Sequence, residues 1–462
     1  MKFTKFGKAL LMSALSAGVV LSFTSCVRSY TVGFLYVTGT VTAQSGNNGI
    51  ISGFKIDHNT GRLAPINGRP VASGGANPVR AVLLTGSRFL YVLNRGVNSE
   101  GNADCTTSDP CQNANITQFS VGGNGILTQQ ETFFTQGMNP FRMIADPSGG
   151  FLYVLDHDAP TNTAPAAGDG CSLALGANVT RCGDISAFTI NQTTGRLSAV
   201  LNDQVTSANC PSSQTSCPLP YFPVPANPVD FVENGGYFIT MSAANQPSSY
   251  PYTGGSSVFP YTLNSGNGQL TINQNSSQSL GIGEGTAIVA GSGVLYVLDN
   301  EPITINFGGT TTTSESQILP YSVGTNGALQ AEAGGIVPDD PTLANPIFLL
   351  VESKGKFIYV LNQGNNEQGA NAQSGIAGYF LTTTPAYQLS YIAGEPFGTG
   401  GGPQCLVEDP SDQFVYSADF NDSSISGRVV DPNSGVLNNL RVANTYALQG
   451  PATWCLIDGR TS

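Results

Sequence analysis

A short apolar run that closes on a small polar residue keeps returning along this chain. It is clearest at Phe89-Leu90-Tyr91-Val92-Leu93-Asn94 and is rewritten at Phe151–Asp156, Val294–Asp299 and Phe357–Asn362. Weaker copies stand at Phe34-Leu35-Tyr36-Val37, Tyr237-Phe238-Ile239-Thr240 and Phe414-Val415-Tyr416-Ser417. Runs of this length, rich in β-branched and aromatic residues, predict strands. Their return at long, regular intervals predicts a repeat architecture, in which each unit exposes an apolar face that only its neighbour covers.

Each copy sits inside a longer unit. Ahead of it lies an apolar run usually opened by proline, as in Pro78-Val79-Arg80-Ala81-Val82, Pro140-Phe141-Arg142-Met143-Ile144 and Pro228-Val229-Asp230-Phe231-Val232. A tight turn such as Asp146-Pro147-Ser148-Gly149 connects the two. Behind it, after a loop of variable length, comes a third run such as Ile185-Ser186-Ala187-Phe188-Thr189-Ile190. A Gly-bearing hairpin follows, seen in Asn59-Thr60-Gly61-Arg62-Leu63, Thr194-Gly195-Arg196-Leu197 and Ser434-Gly435-Val436-Leu437. The unit is a four-stranded antiparallel sheet, one blade of a propeller. The chain enters at the second strand of a unit and ends after a lone first strand, Pro451–Ile457, so the two ends complete one blade. The prediction is an all-β, seven-bladed propeller whose ring is closed by its N-terminal strands pairing with its C-terminal strand, which leaves no open sheet edge.

The first residues do not fit this pattern. Lys2, Lys5 and Lys8 precede an apolar run from Ala9 to Leu21, shorter than the roughly 20 residues of a membrane-spanning helix. It reads as a signal peptide over residues 1–25. Leu21-Ser22-Phe23-Thr24-Ser25-Cys26 is similar to the lipobox of bacterial lipoproteins, with Cys26 the lipidated residue; ordinary signal cleavage is the alternative. Residues 26–33 are then a short tether and 34–460 the propeller domain, held at the cell envelope as a monomer, at the outer membrane or on the periplasmic face.

Composition fits a turn-rich exported β protein, with 56 glycines and only 10% charged residues. With Lys2, Lys5 and Lys8 removed, 15 of the 18 basic residues face 30 acidic ones, a net charge of −15. A field of that sign repels nucleic acid and anionic lipid head groups, which leaves the lipid anchor as the only contact with a membrane. Local cysteine pairs, Cys105 with Cys111, Cys171 with Cys182 and Cys210 with Cys217, read as disulfides of an oxidising compartment. Their spacing lacks the ligand turns of zinc sites, so no metal is expected. Cys405 and Cys455 lie on first strands beside the ring closure, as a bridge or as two buried thiols.

Strand order places every long loop, including 95–115, 157–184, 206–227 and 300–316, on one face. That is the expected binding face. Arg80 and Arg142 open innermost strands there and suit an anion clamp, with ion pairing between blades as the alternative. Glu284 opens another innermost strand. His157, flanked by Asp156 and Asp158, is the candidate general acid or base; an ordinary exposed loop histidine is the alternative. The polar strand ends Asn94, Asp156, Asp299, Asn362 and Asp419 either cap turns or form a ring of oxygen ligands for ligand hydroxyls or Ca²⁺. Tyr221 and Tyr252, in stiff proline-rich loops, suit stacking on a sugar ring, or plain loop packing. No nucleophile elbow, Walker loop, zinc helix or dinucleotide fingerprint is present, and no cofactor is implied.

The Pro-led strand, the Phe-Leu-Tyr-Val-Leu-Asn run and the Thr-Gly-Arg-Leu hairpin together resemble the seven-bladed lactonase-type propellers, the family of bacterial 6-phosphogluconolactonase and fungal carboxymuconate lactonising enzyme. The resemblance spans nearly all of the chain past the leader. It implies a lactone hydrolase using histidine, arginine and glutamate at a central funnel. The family's Pro-His-x-His segment has no counterpart here, so His157, Arg142 and Arg80 enter as chemical analogues. The expected ligand is a small unphosphorylated lactone, sugar or sugar acid. The alternative is a non-catalytic surface propeller that binds a glycan or a protein through its loop-rich face.

Overall fold

A computed structural model describes residues 30–459 apart from 42–47, 67–69, 85–87, 104, 107, 161–169, 180, 208–216, 244–254, 273–277, 292, 308, 333–335, 365–372 and 384–385. Its sheets form seven antiparallel blades. In chain order their second strands are Thr31–Thr40, Phe89–Asn94, Phe151–Asp158, Tyr237–Ser242, Val294–Asp299, Phe357–Asn362 and Phe414–Asp419. These are the seven repeats of the sequence.

The ring closes as the chain ends predict. Ala452–Asp458 pairs antiparallel with Thr31–Thr40, setting Leu35 against Ile457, Tyr36 against Leu456 and Val37 against Cys455. One blade therefore contains strands from both ends of the chain. Cys405 and Cys455 form a disulfide with Cα atoms 5.8 Å apart, which joins the innermost strands of the last blade and the closing one. The question left open by the sequence is answered as a bridge.

Each second strand is apolar on both sides because neighbouring blades cover both. Side chains alternate across a strand. Leu90 and Val92 accordingly pack towards the first blade, with Phe34 and Tyr36, while Tyr91 and Leu93 pack towards the third, with Leu152 and Val154. The same division repeats around the ring, one buried cluster to each blade interface.

A polar tie accompanies several of these apolar contacts. The hydroxyls of Tyr36, Tyr153, Tyr359 and Tyr416 donate to the carbonyls of Gly125, Gly268, Gly435 and Gly61, at 2.7, 3.2, 2.7 and 2.7 Å. Every acceptor is the hairpin glycine of the following blade, at positive φ. The carbonyl turned out by that hairpin satisfies a phenol that burial alone would leave unpaired.

Two features add to the repeat. The outer strand of five blades comes in two pieces along the third strand, as with Leu197–Ala199 and Phe222–Pro225 on Cys182–Ile190. Two small ribbons, Asn202–Ser207 with Cys217–Leu219 and Ile303–Phe307 with Thr310–Ser314, rise from the long loops.

Candidate functional site

The innermost strands build the funnel, and all seven do so with the same irregularity. Where each begins, the register slips by one residue against the second strand, between Pro78 and Arg80, Pro140 and Arg142, Pro228 and Asp230, Gly285 and Ala287, Pro346 and Phe348, Pro403 and Cys405, and Ala452 and Trp454. Such a bulge re-aims a side chain out of the sheet. In four blades it follows an Asn-Pro pair whose asparagine has positive φ: Asn77, Asn139, Asn227 and Asn345. Asparagine tolerates that region and proline fixes the next φ, so the dipeptide sets the turn from the preceding blade into the bulge.

A cavity of about 500 Å³ opens on the long-loop face at the ring centre, lined by Arg80, Arg95, Arg142, His157, Gln363, Gln404, Phe420, Phe141, Val79 and Thr453. Two positions of the repeat supply most of it. Val79, Phe141, Gln404 and Thr453 are bulge residues. Arg95, His157, Gln363 and Phe420 each stand one place beyond a polar strand end, after Asn94, Asp156, Asn362 and Asp419. The polar ends turn inward and the side chains that face the ligand space come next; of these His157 stands out in the sequence, and the repeat alignment places Arg95, Gln363 and Phe420 beside it.

Arg80, Arg142 and His157 are brought together. The Arg142 guanidinium donates to Asp230 Oδ1 at 3.1 Å, from one blade to the next. Arg80 lies over the indole of Trp454, 3.7 Å from the ring centroid, a stacking that holds a guanidinium flat. Burial pushes the Arg80 guanidinium well below its ordinary value and the neighbouring Arg142 adds to this, against the opposing pull of Asp230. Arg95 was not foreseen. Three guanidiniums thus converge on one cavity in a chain of net charge −12, and the local field there opposes the global one.

His157 is half-buried, with its Nδ1 2.9 Å from Asp158 Oδ2. Asp158 also accepts from Asn139 Nδ2 at 3.0 Å and from Arg181 at 3.2 Å. Burial alone would raise the Asp158 carboxyl, but the bonds and charge of His157, with Asn139 and Arg181, bring it down to about 2.

Other candidates stand elsewhere. Asn94, Asp156, Asp299, Asn362 and Asp419 are fully buried inside the sheets rather than open to the long-loop face. Asn94 bonds Ser73, Asn115 and Thr117. Asp156 accepts from Ser186, Asp299 from Gln317 and the Glu284 amide, and Asp419 from Ser417, Ser424 and Ser426. Their bonds run mostly to residues of neighbouring strands, and they reach no solvent. Glu284 is half-buried beside Asn300, away from the cavity lining, where burial raises its carboxyl. Tyr221, a candidate for sugar stacking or for plain loop packing, is 3% exposed and packs with Leu219 against Cys171 and Cys182 of the neighbouring bridged loop, in a small core of their own. Tyr252 and Cys26 lie outside the described residues. Cys105–Cys111 is also a disulfide, and Cys217 is disulfide-bonded, while its expected partner Cys210 lies outside the described residues. Among the described residues no group of three or more His, Cys, Asp or Glu side chains could hold a metal ion.

Fold and funnel define a seven-bladed propeller with a cationic cavity at its centre. A periplasmic gluconolactonase of Pseudomonas aeruginosa is similar over 92% of this chain and 98% of its own, at 16% identity and a TM-score of 0.60. A putative 6-phosphogluconolactonase of Bacteroides fragilis matches over 92% and 98%, at 14% identity and 0.59. Another from Bacteroides uniformis matches over 92% and 100%, at 13% and 0.58. At these identities the likeness is one of fold. No protein-family profile matches the chain, and no curated protein sequence is similar to it.

Proposed function

We propose that the protein is an exported, lipid-anchored lactone hydrolase acting on a small sugar-acid lactone in the central funnel. The observation that carries this reading is the convergence of Arg80, Arg95, Arg142 and His157 on one solvent-open cavity. His157 takes a proton from water at Nε2, and the water oxygen attacks the lactone carbonyl carbon. The guanidiniums stabilise the oxyanion of the tetrahedral intermediate. As that intermediate collapses, the ring C–O bond breaks and the proton returns from Nε2 to the leaving ring oxygen, giving the hydroxy acid. The same guanidiniums then face the product carboxylate. Among the described residues, the disulfides support an oxidising compartment, and the lipobox-like Leu21–Cys26 supports anchoring.

The test is hydrolysis of a panel of sugar and aromatic lactones by the purified chain, with His157→Ala and Arg142→Ala alongside. Turnover lost in both variants while folding is intact supports the reading. No turnover above the spontaneous rate overturns it and leaves a propeller that binds sugar acids, glycans or a protein without converting them.

A further inference from the structure

The surroundings of Asp158 carry a role that the lactonase reading does not itself assign. Among the described residues its two oxygens take donors from three segments: His157 beside it, Asn139 at the head of the innermost strand, and Arg181 from the long loop after the second strand. Both supporting donors are tethered by disulfides. Arg181 adjoins Cys182, bridged to Cys171. The Oδ1 of Asn139 accepts from the Cys111 amide at 2.7 Å, and Cys111 is bridged to Cys105. That bond turns Nδ2 of the asparagine amide towards Asp158. Two stapled loops therefore converge on one carboxylate, itself 2% exposed.

An ionised carboxylate only accepts hydrogen bonds. The neutral imidazole facing it must carry its proton on Nδ1, which leaves Nε2 as a lone-pair acceptor. The His157 ring lines the cavity, and its Nε2 bonds no described residue.

We propose that Asp158 is a positioning residue: it fixes His157 as the Nδ1–H tautomer and so presents an unprotonated Nε2 to water in the funnel, while Arg181 and Asn139 hold Asp158 in place. The proposal rests on the reading of His157 as the proton-transfer group. The arrangement explains why two disulfides brace loops that contribute few side chains to the cavity themselves.

The chain contains two histidines, so imidazole ¹⁵N spectra of the full chain resolve the tautomer, with His58→Gln assigning the signals. We expect His157 in the Nδ1–H form, and in Asp158→Ala a majority in the Nε2–H form. In that variant kcat for a lactone substrate should fall by about 10²-fold with KM little changed. A wild-type Nε2–H tautomer, or one unchanged in Asp158→Ala, overturns the proposal. The wild-type spectrum decides alone if Asp158→Ala does not fold. Absence of lactone turnover overturns the hydrolase reading but leaves the tautomer result standing, so the two failures are told apart.

Discussion

The hydroxyl of Tyr416, on the second strand of the last blade, donates to the carbonyl of Gly61 in the hairpin of the first, at 2.7 Å across 355 residues of sequence. The same bond ties other neighbouring blades, so the closing interface shares a tie used elsewhere in the ring. Gly61 holds φ +66°, and a Cβ there would lie 2.5 Å from the Phe414 ring.

Gly61→Ala should therefore cost both backbone strain and a steric clash, about 2–4 kcal/mol together. Gly101 also has positive φ, but no described residue lies within 4 Å of its Cβ position. Gly101→Ala should cost only about 1 kcal/mol. Urea unfolding of the two variants checks this, and equal losses would show that the interface contact matters little.

The Cys405–Cys455 bridge spans 50 residues and Cys105–Cys111 only 6. Removing a cross-link frees more unfolded-state entropy when the loop is long. The double variant Cys405→Ser/Cys455→Ser should lose about 3–4 kcal/mol and the Cys105→Ser/Cys111→Ser variant less. Denaturant midpoints of the two decide the order.

Asp156 and Asp184 face each other across paired strands, both fully buried. Burial raises both carboxyls; for Asp184 the charge of Asp156 adds to this, while the bond from Ser186 partly offsets it at Asp156. The folded state then holds protons that the unfolded chain releases above about pH 4. Stability from this pair is present in full below that pH and is lost as pH rises through the raised folded values. Asp158 has the opposite sign: lowered to about 2, it contributes stability above its ordinary range that is lost as pH falls towards 2. Asp184→Asn should flatten the decline in melting temperature that begins above about pH 4 and leave the acid limb in place. An unchanged decline above about pH 4, in thermal melts from about pH 2 to about pH 9, would refute the assignment.

Trp454 is the only tryptophan in the chain and stacks on Arg80 at the funnel. Its emission should respond when a sugar acid such as gluconate enters. Arg142→Ala should weaken that binding about tenfold, in line with the loss of one charge-assisted contact, and added salt should weaken it further. A fluorescence titration that Arg142→Ala leaves unaltered would place the ligand elsewhere.

The repeat itself determined the architecture. Seven apolar second strands, their Pro-led partners and their glycine hairpins can bury their faces only by stacking in a closed ring, and the offset of the chain ends follows from that closure. Arg80, Arg142 and His157 were legible because charged groups stand out where the repeat places strand ends. Only the tertiary structure decided which polar residues turn inward. Asp156 is buried while His157 beside it lines the cavity, because alternation along a strand is read against both neighbouring blades. Gln404 joins the funnel through a register slip, Arg95 and Gln363 from the place beyond a polar strand end, and Tyr221 is hidden because it packs against the Cys171–Cys182 bridge of a neighbouring loop in a separate small core. Periodicity fixes which face an apolar residue seeks; whether a polar one meets solvent, a ligand or another blade depends on what the ring brings opposite it.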